Sequence, residues 1–93
     1  MKEITMQSVI RAVKDQVSCD LDGEAVILSL NNGIYYTLNP VGARIWTLIQ
    51  EPRQAGAICD VITNEFDVAP DRCAQDLLKL LGELEAEGLI SID

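Results

Sequence analysis

Residues 17–38 alternate and cluster their apolar positions without a helical beat. "VSCDL" (17–21), "EAVILSL" (24–30) and "IYYTL" (34–38) are short runs rich in β-branched and aromatic residues, the side chains that suit a pleated, half-buried surface. Asp22-Gly23 joins the first pair and Asn31-Asn32-Gly33 the second, and both are hairpin signals because these residues accept positive φ. The pattern predicts three consecutive antiparallel strands in a meander. The second turn is expected to hold two residues (Asn32-Gly33) or three, and either length puts Ile34 in the closing pair. Ile34 and Tyr36 then turn their backbone groups toward the middle strand, while Tyr35 and Thr37 turn theirs outward.

After Leu38 the period changes. Asn39 suits a helix N-cap and Pro40 the first helical position, and Ile45, Trp46, Leu48 and Ile49 follow at helical spacing, so a first helix is expected from about Pro40 to Gln50. Pro52 ends it. Ala55, Ile58, Cys59, Ile62 and Phe66 mark a second amphipathic helix. Pro70 opens a third, with Ala74, Leu77, Leu78, Leu81 and Leu84 on one face and Gly88 as its C-cap. Cys73, Leu77 and Leu80 widen that apolar face sideways, more than one packing partner needs. The tail "LISID" adds a short strand. The expected fold class is α+β and winged helix-turn-helix-like, an N-terminal three-stranded antiparallel sheet followed by three helices, in a single domain of residues 1–93.

Composition narrows the function. Ninety-three residues at 48% hydrophobic and 24% charged can bury a modest core. No apolar run approaches the length of a membrane span and the start lacks a secretory signal, so the expected location is the cytoplasm, with no membrane partner. Cys19, Cys59 and Cys73 are odd in number and unevenly spaced, which implies reduced packing residues rather than disulfides or a metal site. Fifteen acids against seven bases give a net charge of −8, which repels nucleic acid and anionic lipid.

The chemistry is a series of exclusions. There is no histidine, and Ser8, Ser18, Ser29 and Ser91 lack a nucleophile-elbow context, so no catalytic residue and no cofactor are expected. "DLDGE" (20–24) resembles a calcium loop, but its glycine comes fourth instead of sixth and the twelfth position is Asn31 rather than glutamate. A hairpin turn explains it. Gly42 is a close-packing position, since "GARIW" holds no phosphate-binding pattern. A carrier-protein reading fails for want of a serine at a helix start. A winged-helix DNA-binding regulator remains as an alternative, but the third helix carries Arg72 and Lys79 against Asp71, Asp76, Glu83, Glu85 and Glu87, the wrong sign to face phosphates. Peptide recognition fits better: if the third strand is a sheet edge, its outward N–H and C=O groups can pair with an extended chain. The plainer reading makes Tyr36 a core residue and Tyr35 an exposed sheet aromatic.

"GIYYTLNPVGARIWTLI", then "CDVITNEFDV" and "DLLKLLGELEAEGLISID", together resemble the PqqD-like family of recognition elements for RiPP precursors, the ribosomally made peptides that are later modified. The resemblance spans roughly residues 9 to 92. It implies a binding module rather than an enzyme, one that takes the precursor's leader segment as an added strand against the third strand, in a groove shared with the third helix. Carried over, the backbone partners are Ile34, Tyr35, Tyr36, Thr37 and Leu38, and the groove walls are Cys73, Asp76, Leu77 and Leu80. Within the family the compact "G-x-Y-Y-x-L-N" form is most similar to the free-standing recognition partner of a split lasso-peptide leader protease. The partners implied are the leader peptide and that protease or another modifying enzyme. A PqqD-type chaperone serving a radical-SAM enzyme is the alternative within the family. Asp76 and its acidic neighbours are expected to steer toward a basic leader or enzyme.

Overall fold

Two three-stranded antiparallel sheets and three helices make up the computed structural model, which describes residues 3–93. In chain order the elements are β1 (Val9–Ala12), β2 (Gln16–Leu21), β3 (Glu24–Ser29), β4 (Tyr35–Leu38), α1 (Pro40–Leu48), β5 (Arg53–Gln54), α2 (Ala55–Glu65), α3 (Pro70–Ala86) and β6 (Ile90–Ile92). The expected meander is the sheet β2-β3-β4. Its first turn holds two residues, Asp22 at φ 54° and Gly23 at φ 83°, closed by the Leu21↔Glu24 pair.

The second turn is longer than the two or three residues expected. Four residues, 30–33, are closed by Ser29 N–H donating to the Ile34 carbonyl at 3.0 Å. The Ile34 N–H donates instead to Asn32 Oδ1 at 3.0 Å. The asparagine side chain thus takes a donor that a shorter hairpin would use across the ladder. As a result β3 stops at Ser29 and β4 starts at Tyr35, with Leu30 in the turn and Ile34 closing it.

The single expected sheet is corrected to two. β1 lies between β5 and β6 in a second sheet, with Val9↔Gln54 and Ile10↔Arg53 on one side and Ala12↔Ile90 on the other. Its partners are dozens of residues away and only two and three residues long, too short to carry a period. The terminal strand was expected and is β6; the order of strands before helices is α+β as expected. The winged helix-turn-helix comparison made no room for the second sheet.

Each helix boundary has a local cause. The Gly42 N–H donates to Asn39 Oδ1 at 2.9 Å, the expected cap, and a Cβ at Gly42 would stand 3.1 Å from the Leu38 Cβ. α1 ends at Leu48, short of Gln50, and the Ile49 carbonyl accepts from Ala12 N–H at 2.8 Å, which ties the helix exit to β1. At the end of α3, Gly88 has φ 73°. Leu89 N–H donates to the Leu84 carbonyl and Gly88 N–H to that of Glu85, at 2.9 and 3.0 Å, the paired bonds of a Schellman motif.

The core joins Ile27 of β3, Ile45 and Trp46 of α1, Ile58 and Ile62 of α2, and one stripe of α3. That stripe is Cys73, Leu77, Leu81 and Leu84. Cys73 therefore lies on the main face of the helix instead of widening it, while Leu80 and Ala74 pack at the margins. Trp46 is buried, and its Nε1–H donates to Ser18 Oγ on β2 at 3.1 Å.

Candidate functional site

β4 has β3 as its one partner strand among the described residues. The Ser29–Ile34 closing bond sets the phase of their ladder. Bonded and non-bonded pairs alternate in an antiparallel ladder, so Tyr36 and Leu38 pair inward with Ile27 and Ala25, and Tyr35 and Thr37 direct their N–H and C=O groups away from the sheet. Two residues thus offer four unpaired backbone groups along one open edge.

Beside that edge lies a cavity of about 480 Å³. Thr37 and Leu38 line it from β4, and Cys73, Asp76, Leu77 and Leu80 from α3. Six of the nine residues expected at the site therefore meet at one groove. Ile34, Tyr35 and Tyr36 do not line it. Tyr35 is 67% exposed on the sheet, and Ile34 closes the second turn. Tyr36 is half-buried, and its phenol donates to Glu87 Oε2 at 2.6 Å, tying β4 to the last turn of α3. That hydrogen bond raises the Tyr36 pKa above its ordinary value.

The floor of the groove was missing from the sequence reading. Val41 and Ile45 of α1, Ile62 of α2 and Val68 of the α2–α3 connection supply it. Val41 and Ile45 are four apart and directly follow Leu38, a spacing that could have placed them together. Lys79 and Glu83 join Asp76 at the polar rim. Asp76 accepts from Arg72 Nε at 3.3 Å in an exposed i,i+4 pair, so part of its charge is already matched.

Cys73 brings a thiol to the groove wall. The Cys73 thiol is pushed up to about 12 by burial first, then by its contact with Cys59 and the negative charge of Asp76. Its Sγ sits 3.9 Å from the Cys59 carbonyl. A thiol so protonated at neutral pH is a packing group. Cys59 is buried as expected, and Cys19 is exposed. Among the described residues no group of three His, Cys, Asp or Glu side chains could hold a metal ion, and no helix is long and apolar enough to cross a membrane.

Comparison with known proteins bears on the same region. The family model described as coenzyme PQQ synthesis protein D (PqqD) matches residues 24–90, from the start of β3 to the first residue of β6. A solved structure described as TbiB1 in complex with the TbiA(beta) leader peptide superposes with a TM-score of 0.81 at 33% identity, over 87% of this chain and 94% of that one. Lasso peptide synthetase B1 complexed with the leader peptide gives a TM-score of 0.77 at 21% identity, over 88% and 96% of the two chains, and supports the fold alone. No curated protein sequence matches. With a family model covering β3, β4, all three helices and the groove between them, the chain belongs to the PqqD-like family of RiPP precursor recognition elements.

Proposed function

We propose that this chain captures the leader segment of a ribosomally made precursor peptide as an added strand on β4 and holds it for a processing enzyme, a lasso-peptide leader protease. The observation that carries the reading is the coincidence of an open strand edge with an apolar groove. Tyr35 and Thr37 supply the backbone pairing, and the groove floored by Val41, Ile45 and Ile62 takes the leader's apolar side chains. Strand pairing gives affinity and the pockets give specificity. The similar structure at 33% identity holds a leader peptide, and a chain without histidine is suited to presenting a peptide rather than cutting it.

The energetics are in range. Four backbone hydrogen bonds at a net ~1 kcal/mol each, with two or three buried anchors at ~1.5–3 kcal/mol each, give ~7–13 kcal/mol gross. Association and ordering of the leader subtract at least ~4 kcal/mol. The upper end of the remainder matches a micromolar affinity, ~8 kcal/mol. The test is a fluorescence-polarisation titration with the labelled leader of the cognate precursor, once a search of the neighbouring genes identifies it. One-to-one binding with a micromolar or tighter Kd is expected, and no saturable binding up to ~100 μM would overturn the reading.

A further inference from the structure

β2 is a six-residue strand, longer than β4, and β3 is its one partner strand among the described residues. The two-residue turn makes Leu21↔Glu24 a hydrogen-bonded pair, so Cys19 and Val17 also bond inward. Gln16, Ser18 and Asp20 therefore direct their N–H and C=O groups outward. The register runs without a bulge from Gln16↔Ser29 to Leu21↔Glu24, and the strand holds neither lysine nor proline. An edge so continuous and unguarded is a template for another strand.

The side chains along it complement themselves when two copies run antiparallel with Cys19 opposite Cys19 of the partner subunit. On the outer face Val17 and Leu21, each 57% exposed, then stand opposite Leu21 and Val17 of the partner subunit, with the two cysteines between them. On the face toward the helices Ser18 stands opposite Asp20 of the partner subunit, and the reverse pair repeats the contact. Ser18 Oγ accepts from Trp46 Nε1 at 3.1 Å, so its own O–H is left to donate to that carboxylate. Asp20 spends Oδ1 on the Gly23 N–H at 3.1 Å and keeps its other oxygen for the incoming hydroxyl. A cavity of about 190 Å³ bounded by Ser18, Asp20, Trp46 and Gln50 gives these side chains room. The two Ser18–Asp20 pairs exchange four backbone hydrogen bonds.

Charge selects the same arrangement. From residue 13 to residue 38 the only base is Lys14, just before β2, while Asp20, Asp22 and Glu24 cluster at the far end of the strand. Antiparallel copies bring each Lys14 to the acidic end of the other, whereas parallel copies set acid beside acid. A slip of two residues one way puts Asp20 opposite Asp20 of the partner subunit. The same slip the other way puts Leu21 opposite Asp15 of the partner subunit.

We propose that β2 pairs with β2 of a second copy, giving a dimer with one continuous six-stranded sheet. Its order is β4-β3-β2-β2-β3-β4, which leaves both β4 edges free, so the pairing holds whether or not β4 takes a leader. Two strand edges bury little area, and the dimer is of the weak, reversible kind, half-formed at ~100 μM chain.

Sedimentation equilibrium of the full chain under reducing conditions, from ~5 to ~500 μM, should show wild type passing from monomer to dimer and Val17→Lys doing so at least ~tenfold more weakly. The register is read by adding oxidised glutathione, which takes up two electrons and two protons and leaves as two glutathiones when the two Cys19 thiols join. The ~4.5 Å Cα separation of a non-hydrogen-bonded pair lies within the range a disulfide spans, and Cys59 and Cys73 are buried. In Cys19→Ser/Val17→Cys the thiol moves opposite Leu21 of the partner subunit, and cross-linking should slow at least ~tenfold. The cross-link of wild type stands as a test even where Val17→Lys disturbs the fold. A chain that stays monomeric to ~500 μM overturns the proposal. So does a dimer that a folded Val17→Lys leaves intact, or one that cross-links equally fast from positions 17 and 19, since either puts the contact elsewhere.

Discussion

Proline substitution along β4 separates the leader edge from the fold. At position 36 the lost N–H is one that pairs inward with Ile27, a residue with no exposed surface. Tyr36→Pro leaves that carbonyl buried without a donor, at a cost of ~1–3 kcal/mol, and sets a ring inside the ladder, where proline is not tolerated. The tie to Glu87 disappears as well. A domain of this length has about 5–14 kcal/mol of total stability, so Tyr36→Pro should lower Tm by roughly 10–20 °C or unfold the chain. At position 37 the lost N–H faces outward and has no partner within the sheet. Thr37→Pro should stay within about 1 kcal/mol of wild type in stability. It deletes one of the four groups offered to the leader and puts a ring against the incoming strand, which should weaken binding at least ~tenfold. Tyr35→Pro should behave in the same way. Circular dichroism melts alongside polarisation titrations with the cognate leader decide the matter. If both outward prolines fold and bind leader unchanged, β4 is not the docking edge.

Further outcomes can be read with standard equipment. A maleimide at neutral pH should label Cys19 alone, since Cys59 and Cys73 are buried and the Cys73 thiol stays protonated; mass spectrometry showing rapid labelling of Cys73 would contradict this. Because folding raises the Cys73 pKa from 9.0 to about 12, its contribution to stability is complete below pH 9 and fades as pH rises toward 12, so urea midpoints of wild type should fall relative to Cys73→Val across that window. The Arg44 hydrogen bonds lower the Glu65 pKa, so any stability advantage of wild type over Glu65→Gln should be present near neutrality and vanish as pH falls below the usual carboxylate range. Gel shifts with duplex from the upstream region should show no sequence preference at physiological salt, because α3 carries two bases against four acids, with Glu87 at its C-cap as a fifth; a selective sub-micromolar shift would reverse that expectation.

What the sequence made legible was what local chemistry decides. Asp22-Gly23 specified a two-residue turn, Asn39-Pro40 a helix start, and Gly88 a helix end, and each does so through its own backbone geometry. The edges of the groove were named through the resemblance to the PqqD-like family, which placed Thr37 and Leu38 on one side and Leu77 and Leu80 on the other. β1 was not, because Ile10 becomes a central-strand residue only when Arg53 and Ile92 arrive from distant parts of the chain. The length of the second turn depended on where the Asn32 side chain points, which composition does not state. Val41, Ile45 and Ile62 are ordinary core residues by pattern, and only their common place in the lining of one cavity distinguishes them.

Strand addition at β4 is tested most directly by amide hydrogen exchange, residue by residue, with and without saturating leader. The Tyr35 and Thr37 amides point off the open edge and should exchange quickly in the free chain and slow strongly when leader binds. The Tyr36 amide, already paired with Ile27, should change little by comparison. β2 is the other open edge of the same sheet, and its outward amides at Ser18 and Asp20 should be unaffected. Protection that appears at Ser18 and Asp20, or that leaves Tyr35 and Thr37 as fast as in the free chain, would contradict the account.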